Sequence, residues 1–377
     1  MMYDVVISGA GPAGSHCAKV LAEAGYKVAL IEKDTNWRKP CGGAVSSKVI
    51  DLYPQIKKLN TPKITRAKLY SANFHSIERQ RAPGVYSTIA DRLEFDTFLR
   101  DIAIDSGAEL FDKHMSIDFV TKEGKKVGIK TKSPDGIKEF NGNILIIADG
   151  MSSRLAVRAG LRQKWKTEDL ILAMCEIWEG KHNLEEDCEH FYFKTYKAYG
   201  WIFPLGNNHF NIGCGIVGDD NFNYKVADFF NQFINDPNIK KHLPNSNYKT
   251  IWSGACPIYA EGVMLKSLYA DNIMMIGDSA GFASPITGEG IYYSIFSGDA
   301  SAEVAIESLE KEDYSGEILK KYKSHPIVKQ LSKTFKMHVG ARNYFYRDNG
   351  KKLNEMFERA EIDAEYREEV IDKFFGK

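Results

Sequence analysis

The sequence predicts an α/β chain in which a discontinuous nucleotide-binding domain is joined to an antiparallel-sheet domain and a helical C-terminal segment. Three observations predict it. The first 32 residues read as strand, helix and strand around a glycine-rich turn. From about 168 to 256 the chain is a series of short aromatic strand-like runs. A second glycine-rich turn, 277–290, follows a short apolar strand and opens a long helix.

The length of 377 residues allows two to three domains at roughly 150 residues each. With 44% hydrophobic and 27% charged residues, the composition is globular and excludes a disordered chain or a small disulfide scaffold. Fifty basic and fifty acidic residues give no net charge, which argues against a nucleic-acid partner. No apolar run approaches the about 20 residues of a membrane span. The N-terminus lacks a basic region before its apolar run and passes into glycines, unlike a signal peptide. Cys17, Cys41, Cys175, Cys188, Cys214 and Cys256 form no C-x-x-C pair. Zinc ribbons and cysteine-ligated clusters are therefore not expected, and a reducing cytoplasmic compartment is the simplest setting.

The elements follow in order. Tyr3–Ser8 is an apolar β-branched run, hence a buried strand. Gly9-Ala10-Gly11-Pro12-Ala13-Gly14 breaks it, Ser15–Ala24 has helical composition, and Gly25 caps that helix. Lys27–Ile31 is a second strand ending at Glu32, which completes a βαβ unit. A helix is expected from about Ser46, alternating strands over 63–90, and a helix over Arg92–Ser106. Ser116–Thr121, Val127–Lys132 and Asn143–Ala148 read as strands separated by Gly-containing turns. Ile171–Trp178, His190–Phe193, Trp201–Phe203 and Phe210–Val217 build the antiparallel sheet, with a helix at Val226–Ile234. Asn272–Ile276 is a short buried strand, Ile291–Leu309 a helix, and the tail from about 316 is helical and charged. The expected domains are 1–165 with 257–310, 166–256, and 311–377; part of 63–90 is assigned to the side of the sheet domain.

Gly9, Gly11 and Gly14 form G-x-G-x-x-G. The first permits the tight turn, the second lets a pyrophosphate approach the backbone, and the third lets helix pack on strand. The helix N-terminus then faces the phosphates. Glu32, 18 residues past Gly14, is placed to accept ribose hydroxyls and disfavours a 2′-phosphate. A second motif selects FAD over NAD. In Ile276-Gly277-Asp278-Ser279-Ala280-Gly281, Asp278 can accept a ribityl hydroxyl. In Pro285-Ile286-Thr287-Gly288-Glu289-Gly290-Ile291, the glycines admit a planar ring. The helix after Gly290 points its positive end at the negative charge of a reduced flavin.

These motifs resemble the FAD enzymes of the para-hydroxybenzoate hydroxylase fold. Ala148-Asp149-Gly150 with Ser153 is similar to their middle D-G motif, and Arg92-Leu93-Glu94-Phe95-Asp96 to their R-x-x-F-D segment. Three further elements resemble the geranylgeranyl reductase family, and its archaeal digeranylgeranylglycerophospholipid reductases in particular. They are Cys41-Gly42-Gly43-Ala44, Tyr199-Gly200-Trp201-Ile202-Phe203-Pro204 and Asn211-Ile212-Gly213-Cys214-Gly215. The resemblance covers about residues 1–310. It implies a Rossmann-type FAD-binding domain and FAD contacts at Ala13, Glu32, Cys41, Gly42, Ala44, Arg92, Ser116, Asp278, Gly290 and Ile291. The chain departs from the family pattern at Tyr196, where a Pro is usual, and at Ala44, where a Gly is.

Tyr199, Trp201 and Phe203 alternate, so they share one strand face. Strand aromatics usually form sheet core; beside these motifs they read as a tunnel wall for an isoprenoid chain, with Met264 and Tyr292 as additional candidates. The expected reaction is saturation of isolated C=C bonds in geranylgeranyl chains. Trp201 and Tyr199 would offer ring faces to the developing positive charge, and Cys41, Tyr199 or water would relay a proton. His16 reads as structural. The nine histidines show no Ser–His–Asp or metal-binding pattern, so no metal is expected. The alternative is an FAD monooxygenase of a hydrophobic or aromatic molecule. Expected partners are an isoprenoid or lipid substrate, an electron donor (ferredoxin or NAD(P)H), and a membrane surface touched transiently, with the charged C-terminal helices and Phe374 and Phe375 as the candidate contact.

Overall fold

The computed structural model describes residues 2–194, 197–218, 225–243, 248–263, 266 and 268–375. Tyr196 and Met264 lie outside the described residues, as do the side chains of Phe374 and Phe375. The chain forms two compact units. The first comprises 1–38, 93–166 and 258–338; the second comprises 39–92, 167–257 and 339–377.

The first unit is built on an eight-stranded sheet. Its main path runs Tyr269–Ala270, Ile273–Met275, Gly136–Ile147, Met2–Ser8, Val28–Ile31 and Glu109–Phe111. Tyr269–Ala270 pairs antiparallel with Ile273–Met275, and the other four pairings on this path are parallel. Strands covered on both faces need apolar residues throughout, and Val5–Ile7, Val28–Ile31 and Ile144–Ile147 are all buried. Lys125–Ser133 and Met115–Lys122 extend Gly136–Ile147 as an antiparallel meander. Helix Pro12–Glu23 begins with Pro at its first position, where the missing N–H costs nothing.

Helix Ile291–Glu310 packs against that helix so closely that a Cβ at Gly298 would sit 2.6 Å from the Ala13 carbonyl oxygen. Buried Ser297 and Ser301 donate back to the carbonyls of Ser294 and Gly298, so their burial leaves no hydroxyl unpaired. The sequence places 311–377 in a separate helical segment. Instead, Ile318, Leu319, Tyr322, Val328, Leu331 and Phe335 join the core of the first unit, because their helical spacing presents one apolar face. The remainder, with helices Lys351–Ile362 and Ala364–Phe375, belongs to the second unit.

The second unit carries a seven-stranded sheet in the order Lys249–Tyr259, Leu170–Glu179, His209–Val217, Ala198–Gly206, Cys188–Phe193, Arg66–Tyr70 and Ser76–Gln80. From Leu170–Glu179 to Ser76–Gln80 the pairings are antiparallel except that Cys188–Tyr192 runs parallel to Arg66–Tyr70. That pairing draws 63–80 into this sheet. Segment 39–92 therefore lies in the second unit, apart from the strand–helix–strand beginning with which its sequence position groups it.

Strand Lys249–Tyr259 is absent from the expected elements; it is partly exposed along its length and holds Gly254 and Pro257, which weaken a strand signal. One face of the sheet is covered by helix Val226–Asn235 through Phe229, Phe230 and Phe233, packed with Ile202, Phe210, Ile212 and Cys214. A small sheet of Ala44–Val45, Ser87–Ile89 and Lys63–Ile64 follows the Cys41–Gly43 turn. Among the described residues no helix is long and apolar enough to cross a membrane.

Candidate functional site

In the first unit, strand Met2–Ser8 runs into Gly9, whose φ of +103° is open to glycine. A Cβ there would meet the Ala148 carbonyl oxygen at 2.4 Å, and one at Gly14 would meet the Gly9 carbonyl oxygen at 1.9 Å. At Gly11 no described atom would lie within 4 Å of a Cβ. Two glycines thus close the turn and the third leaves room above it. No side chain caps helix Pro12–Glu23, so its first-turn N–H groups are available to a ligand.

Glu32 has a structural task as well as the expected one. Its Oε2 accepts from the Ala10 N–H at 2.8 Å, and its Oε1 accepts from the N–H groups of Lys33 and Asp34 at 2.8 and 3.2 Å. The carboxylate holds the glycine turn to the second strand and keeps lone pairs for a hydroxyl. Ser116 shares a 2.7 Å hydrogen bond with Ser8 at the end of the first strand. Arg92 is buried and opens helix Arg92–Asp105.

Asp149 belongs to the middle D-G motif, and its surroundings shift its carboxyl upward. Burial pushes its carboxyl up to about 6, against hydrogen bonding to Ser153 and the charge of Arg162. Its Oδ1 is shielded from solvent and has no hydrogen-bond partner among the described residues, a cost that a ligand hydroxyl would relieve. Arg162 escaped the sequence reading. Its guanidinium donates to the carbonyls of Met151, Ser153 and Ser279 at 3.1, 3.3 and 3.2 Å, joining the middle and distal motifs. Only its position after the D-G turn signalled it.

Asp278 lies on the single helical turn Gly277–Ala280. Its Oδ1 is 3.3 Å from where a Gly290 Cβ would stand, so acid and helix start converge. Gly288, with φ +67°, donates its N–H to the Ser284 carbonyl. Ser284 Oγ accepts from the N–H groups of Ile286 and Thr287 and shares a 3.0 Å bond with His338. Ile291 is buried as the first residue of its helix. An open glycine turn, an uncapped helix start, an orphaned carboxylate oxygen and a second glycine turn together fit a flavin dinucleotide.

In the second unit the register decides the site. Tyr199, Trp201 and Phe203 share a face with Phe193 and Phe191, which stand opposite the first two. Ring centroids lie 5.7 Å apart for Tyr199–Trp201, 6.2 Å for Trp201–Phe203 and 5.0 Å for Phe191–Phe203. Gly213 stands opposite Trp201, and a Cβ there would strike the indole at 2.2 Å. The Cys41–Gly43 turn lies on the same rings. A Gly42 Cβ would be 2.8 Å from Phe203 Cε2 and 3.1 Å from Trp201 Nε1. The Cys41 carbonyl accepts from Asn211 Nδ2 at 2.9 Å and from Cys175 Sγ at 3.6 Å, while Cys256 Sγ donates to the Pro40 carbonyl. Trp201 donates its indole N–H to Asn211 Oδ1 at 2.8 Å, so it offers ring faces rather than a proton. Ala44 begins the short strand that follows.

Glu189 escaped the sequence reading altogether, and Asn211 stood in a noted segment without a role of its own. Glu189 stands on the aromatic face, one register step beyond the His190–Ile202 pair. It is buried, its carboxyl is raised to about 6, and Arg81 lies 3.6 Å away. A polar residue inside an apolar strand was the available signal in both cases, since burial then demands a partner. Tyr292 belongs to the first unit, where it packs on Tyr293 and Phe296. His16 is buried and bonds Asp299. Glu185, Cys188 and His190 bring ligand-type atoms within 4.8 Å of one another, but Glu185 is bonded to Arg66, whose charge opposes a cation there.

Comparison with known proteins agrees with this geometry. The model of a family described as FAD binding domain matches residues 2–331. Digeranylgeranylglycerophospholipid reductase 2 of Methanopyrus kandleri is 30% identical over 95% of this chain and 90% of its own. Digeranylgeranylglycerophospholipid reductase of Methanosphaerula palustris is 30% identical over 93% and 88%. Among solved structures, a geranylgeranyl bacteriochlorophyll reductase-like protein from Thermoplasma acidophilum superposes with a TM-score of 0.87 at 24% identity, covering 100% of this chain and 97% of that one. A flavin-dependent brominase superposes at 0.79 with 19% identity over 100% and 94%. At such identities both structures establish the fold alone.

Proposed function

The chain belongs to the family of FAD-binding flavoproteins that includes the digeranylgeranylglycerophospholipid reductases, and from that premise we propose that it saturates isolated C=C bonds of geranylgeranyl chains in archaeal-type lipids or a related isoprenoid. The observation that carries this reading is the aromatic face of the second unit, with Trp201 seated on Gly213 and the Cys41–Gly42 turn laid against it. Such a face suits a long apolar chain without polar anchors. The first unit holds the dinucleotide, with Gly9, Gly11, Ala13 and Gly14 at its phosphates and Glu32 at its ribose. Arg92, Ser116, Asp278, Gly288, Gly290 and Ile291 serve the rest of the flavin on the same proposal, as do Cys41, Gly42 and Ala44.

Bound and reduced, the flavin supplies a hydride. The chain's own residues must then manage the proton and the charge. An isolated alkene is not electrophilic, so protonation at one carbon leaves positive character on the other. The faces of Trp201 and Tyr199 stabilise it, and Phe203 excludes water. Cys41 or Tyr199, or water beside them, delivers the proton. The electron donor is ferredoxin or NAD(P)H, and stopped-flow reduction with each distinguishes them. The protein acts in the cytoplasm and touches the membrane surface transiently to reach its substrate. Flotation with anionic liposomes tests this, and a chain that never floats would count against it.

The deciding experiment reduces the holoprotein anaerobically with dithionite and adds geranylgeranylated lipid. The expected result is return of the oxidised flavin spectrum and a product heavier by two hydrogens per double bond. Trp201→Ala should keep FAD and slow that return by about 100-fold, on the order of 2.7 kcal/mol of barrier. Return at the wild-type rate would remove Trp201 from the mechanism. No return with wild type, and fast oxygen consumption with an aromatic substrate, would make the chain a monooxygenase.

A further inference from the structure

Asn211 is 4% exposed, in a cross-strand row whose other members are Phe203 and Ile177. An amide there needs a reason, and the structure supplies two partners. Oδ1 accepts the Trp201 indole N–H at 2.8 Å, and Nδ2 donates to the Cys41 carbonyl at 2.9 Å. The orientation of the amide follows from chemistry, because an indole N–H can only donate and a carbonyl can only accept. We propose that Asn211 is a positioning residue that clamps the Cys41–Gly42 turn to the ring of Trp201.

Other residues at this position would fail for stated reasons. Aspartate keeps the acceptor for Trp201 but sets a carboxylate against the Cys41 carbonyl. Leucine fills the volume and leaves both partners unpaired in a buried site. Glutamine is one methylene too long for the spacing. The turn is also held by two thiol donors, Cys175 Sγ at 3.6 Å from the Cys41 carbonyl and Cys256 Sγ at 3.3 Å from that of Pro40, and at its far end by the Ala90 N–H, which donates to the Gly43 carbonyl at 2.9 Å. Thiols are weak donors, and the Ala90 bond fixes Gly43 rather than Cys41, so the amide is the strong fastener between the Cys41 carbonyl and Trp201. Gly42 lies directly against Phe203 and Trp201, so the turn and the indole move together. Losing the clamp therefore changes the angle of the indole and the height of Cys41 together.

The catalytic consequence rests on the proposed alkene reductase, and the test separates the two. Asn211→Leu, Asn211→Asp, Trp201→Phe and the Leu/Phe double variant are prepared as holoproteins. Flavin reoxidation by geranylgeranylated lipid is followed in single turnover across lipid concentrations. The expected result is a saturating rate at least about tenfold lower for Asn211→Leu, with half-saturation and bound FAD unchanged. The double variant should be no slower than its slower parent, because both changes open one bridge. Alongside, iodoacetamide labelling is mapped by mass spectrometry. Cys41 should label at least about tenfold faster in Asn211→Leu and Asn211→Asp, while Cys17, Cys188 and Cys214 stay protected; a merely destabilised protein would label all four.

A saturating rate within about twofold of wild type, or multiplying effects in the double variant, would overturn the catalytic consequence. Unchanged Cys41 labelling would overturn the clamp itself. If wild type is not reoxidised by the lipid, the reductase reading fails, and the labelling alone decides whether Asn211 holds the turn. Should Asn211→Leu fail to fold, Asn211→Asp carries the same measurements.

Discussion

Glycine does opposite work at the glycine-rich turn of the first unit and on the aromatic face of the second. In the first, it brings backbone against backbone: Gly14 faces the Gly9 carbonyl and Gly9 faces that of Ala148, at distances no Cβ could tolerate. In the second, it beds aromatic rings: Gly213 lies under the Trp201 indole and Gly42 over Phe203 and Trp201. A backbone approach between residues five apart is a local event, so it leaves a motif in the sequence. A ring bed depends on which strand lies opposite, so it is written in the register. The first kind of site is rigid because peptide groups cannot move aside. The second can yield a little, because a side chain can rotate, and its failure should reach the chemistry before the fold.

Four tests would sharpen or break that contrast. The largest effect is expected from Gly14→Ala, whose Cβ would lie 1.9 Å from a backbone oxygen. It should cost about 3 kcal/mol and yield protein without FAD, read from the urea midpoint and the flavin content. Full FAD loading with an unchanged midpoint would show that the turn is less tight than the geometry states. Gly213→Ala should differ in kind. Trp201 must tilt, FAD should stay bound, and reoxidation by lipid should fall about 30-fold, or roughly 2 kcal/mol of barrier. Loss of FAD without a change in rate per bound flavin would erase the distinction between the units. Arg162→Met strips donors from the carbonyls of Met151, Ser153 and Ser279. About 1.5 kcal/mol of stability should be lost, and thermal melts of apo and holo protein would reveal whether the first unit alone bears it.

The smallest effect concerns pH. Among the described residues, each unit holds one buried carboxyl raised to about 6, Asp149 and Glu189. Both bind a proton more tightly folded than unfolded. Their favourable contribution is complete below the unfolded values near 4 and is lost as pH rises through about 6. Apo-protein stability should therefore decline over that window and then level. Asp149→Asn and Glu189→Gln should each flatten part of the decline, on the order of 1 kcal/mol. A decline untouched by both substitutions would place its source elsewhere.

The strand–turn–helix–strand beginning was legible because each signal lies within a few residues: β-branched runs, three glycines and a terminal acid. The long helix after Gly290 was legible for the same reason. The edge strand Lys249–Tyr259 was not, since a partly exposed strand broken by Gly254 and Pro257 lacks a period. Arg162 was not, because a buried arginine is recognised by the carbonyls it meets, and these come from two turns more than a hundred residues apart. Asn211 stood in a motif already noted, but its role required knowing that Trp201 and Cys41 both reach it.

By itself the sequence determined the α/β class, the flavin-type motifs, the alternation that puts Tyr199, Trp201 and Phe203 on one face, and the family resemblance. These rest on backbone sterics and on periodicity, which are local. The tertiary structure alone decided that Arg66–Tyr70 joins Cys188–Phe193 in parallel and draws 39–92 into the second unit. It also decided that the C-terminal helices divide between the units, that Glu32 grips the turn it follows, and that one asparagine ties Trp201 to Cys41. Those outcomes depend on contacts between residues tens to hundreds of positions apart, which become favourable only once the core has paid their loop-closure entropy.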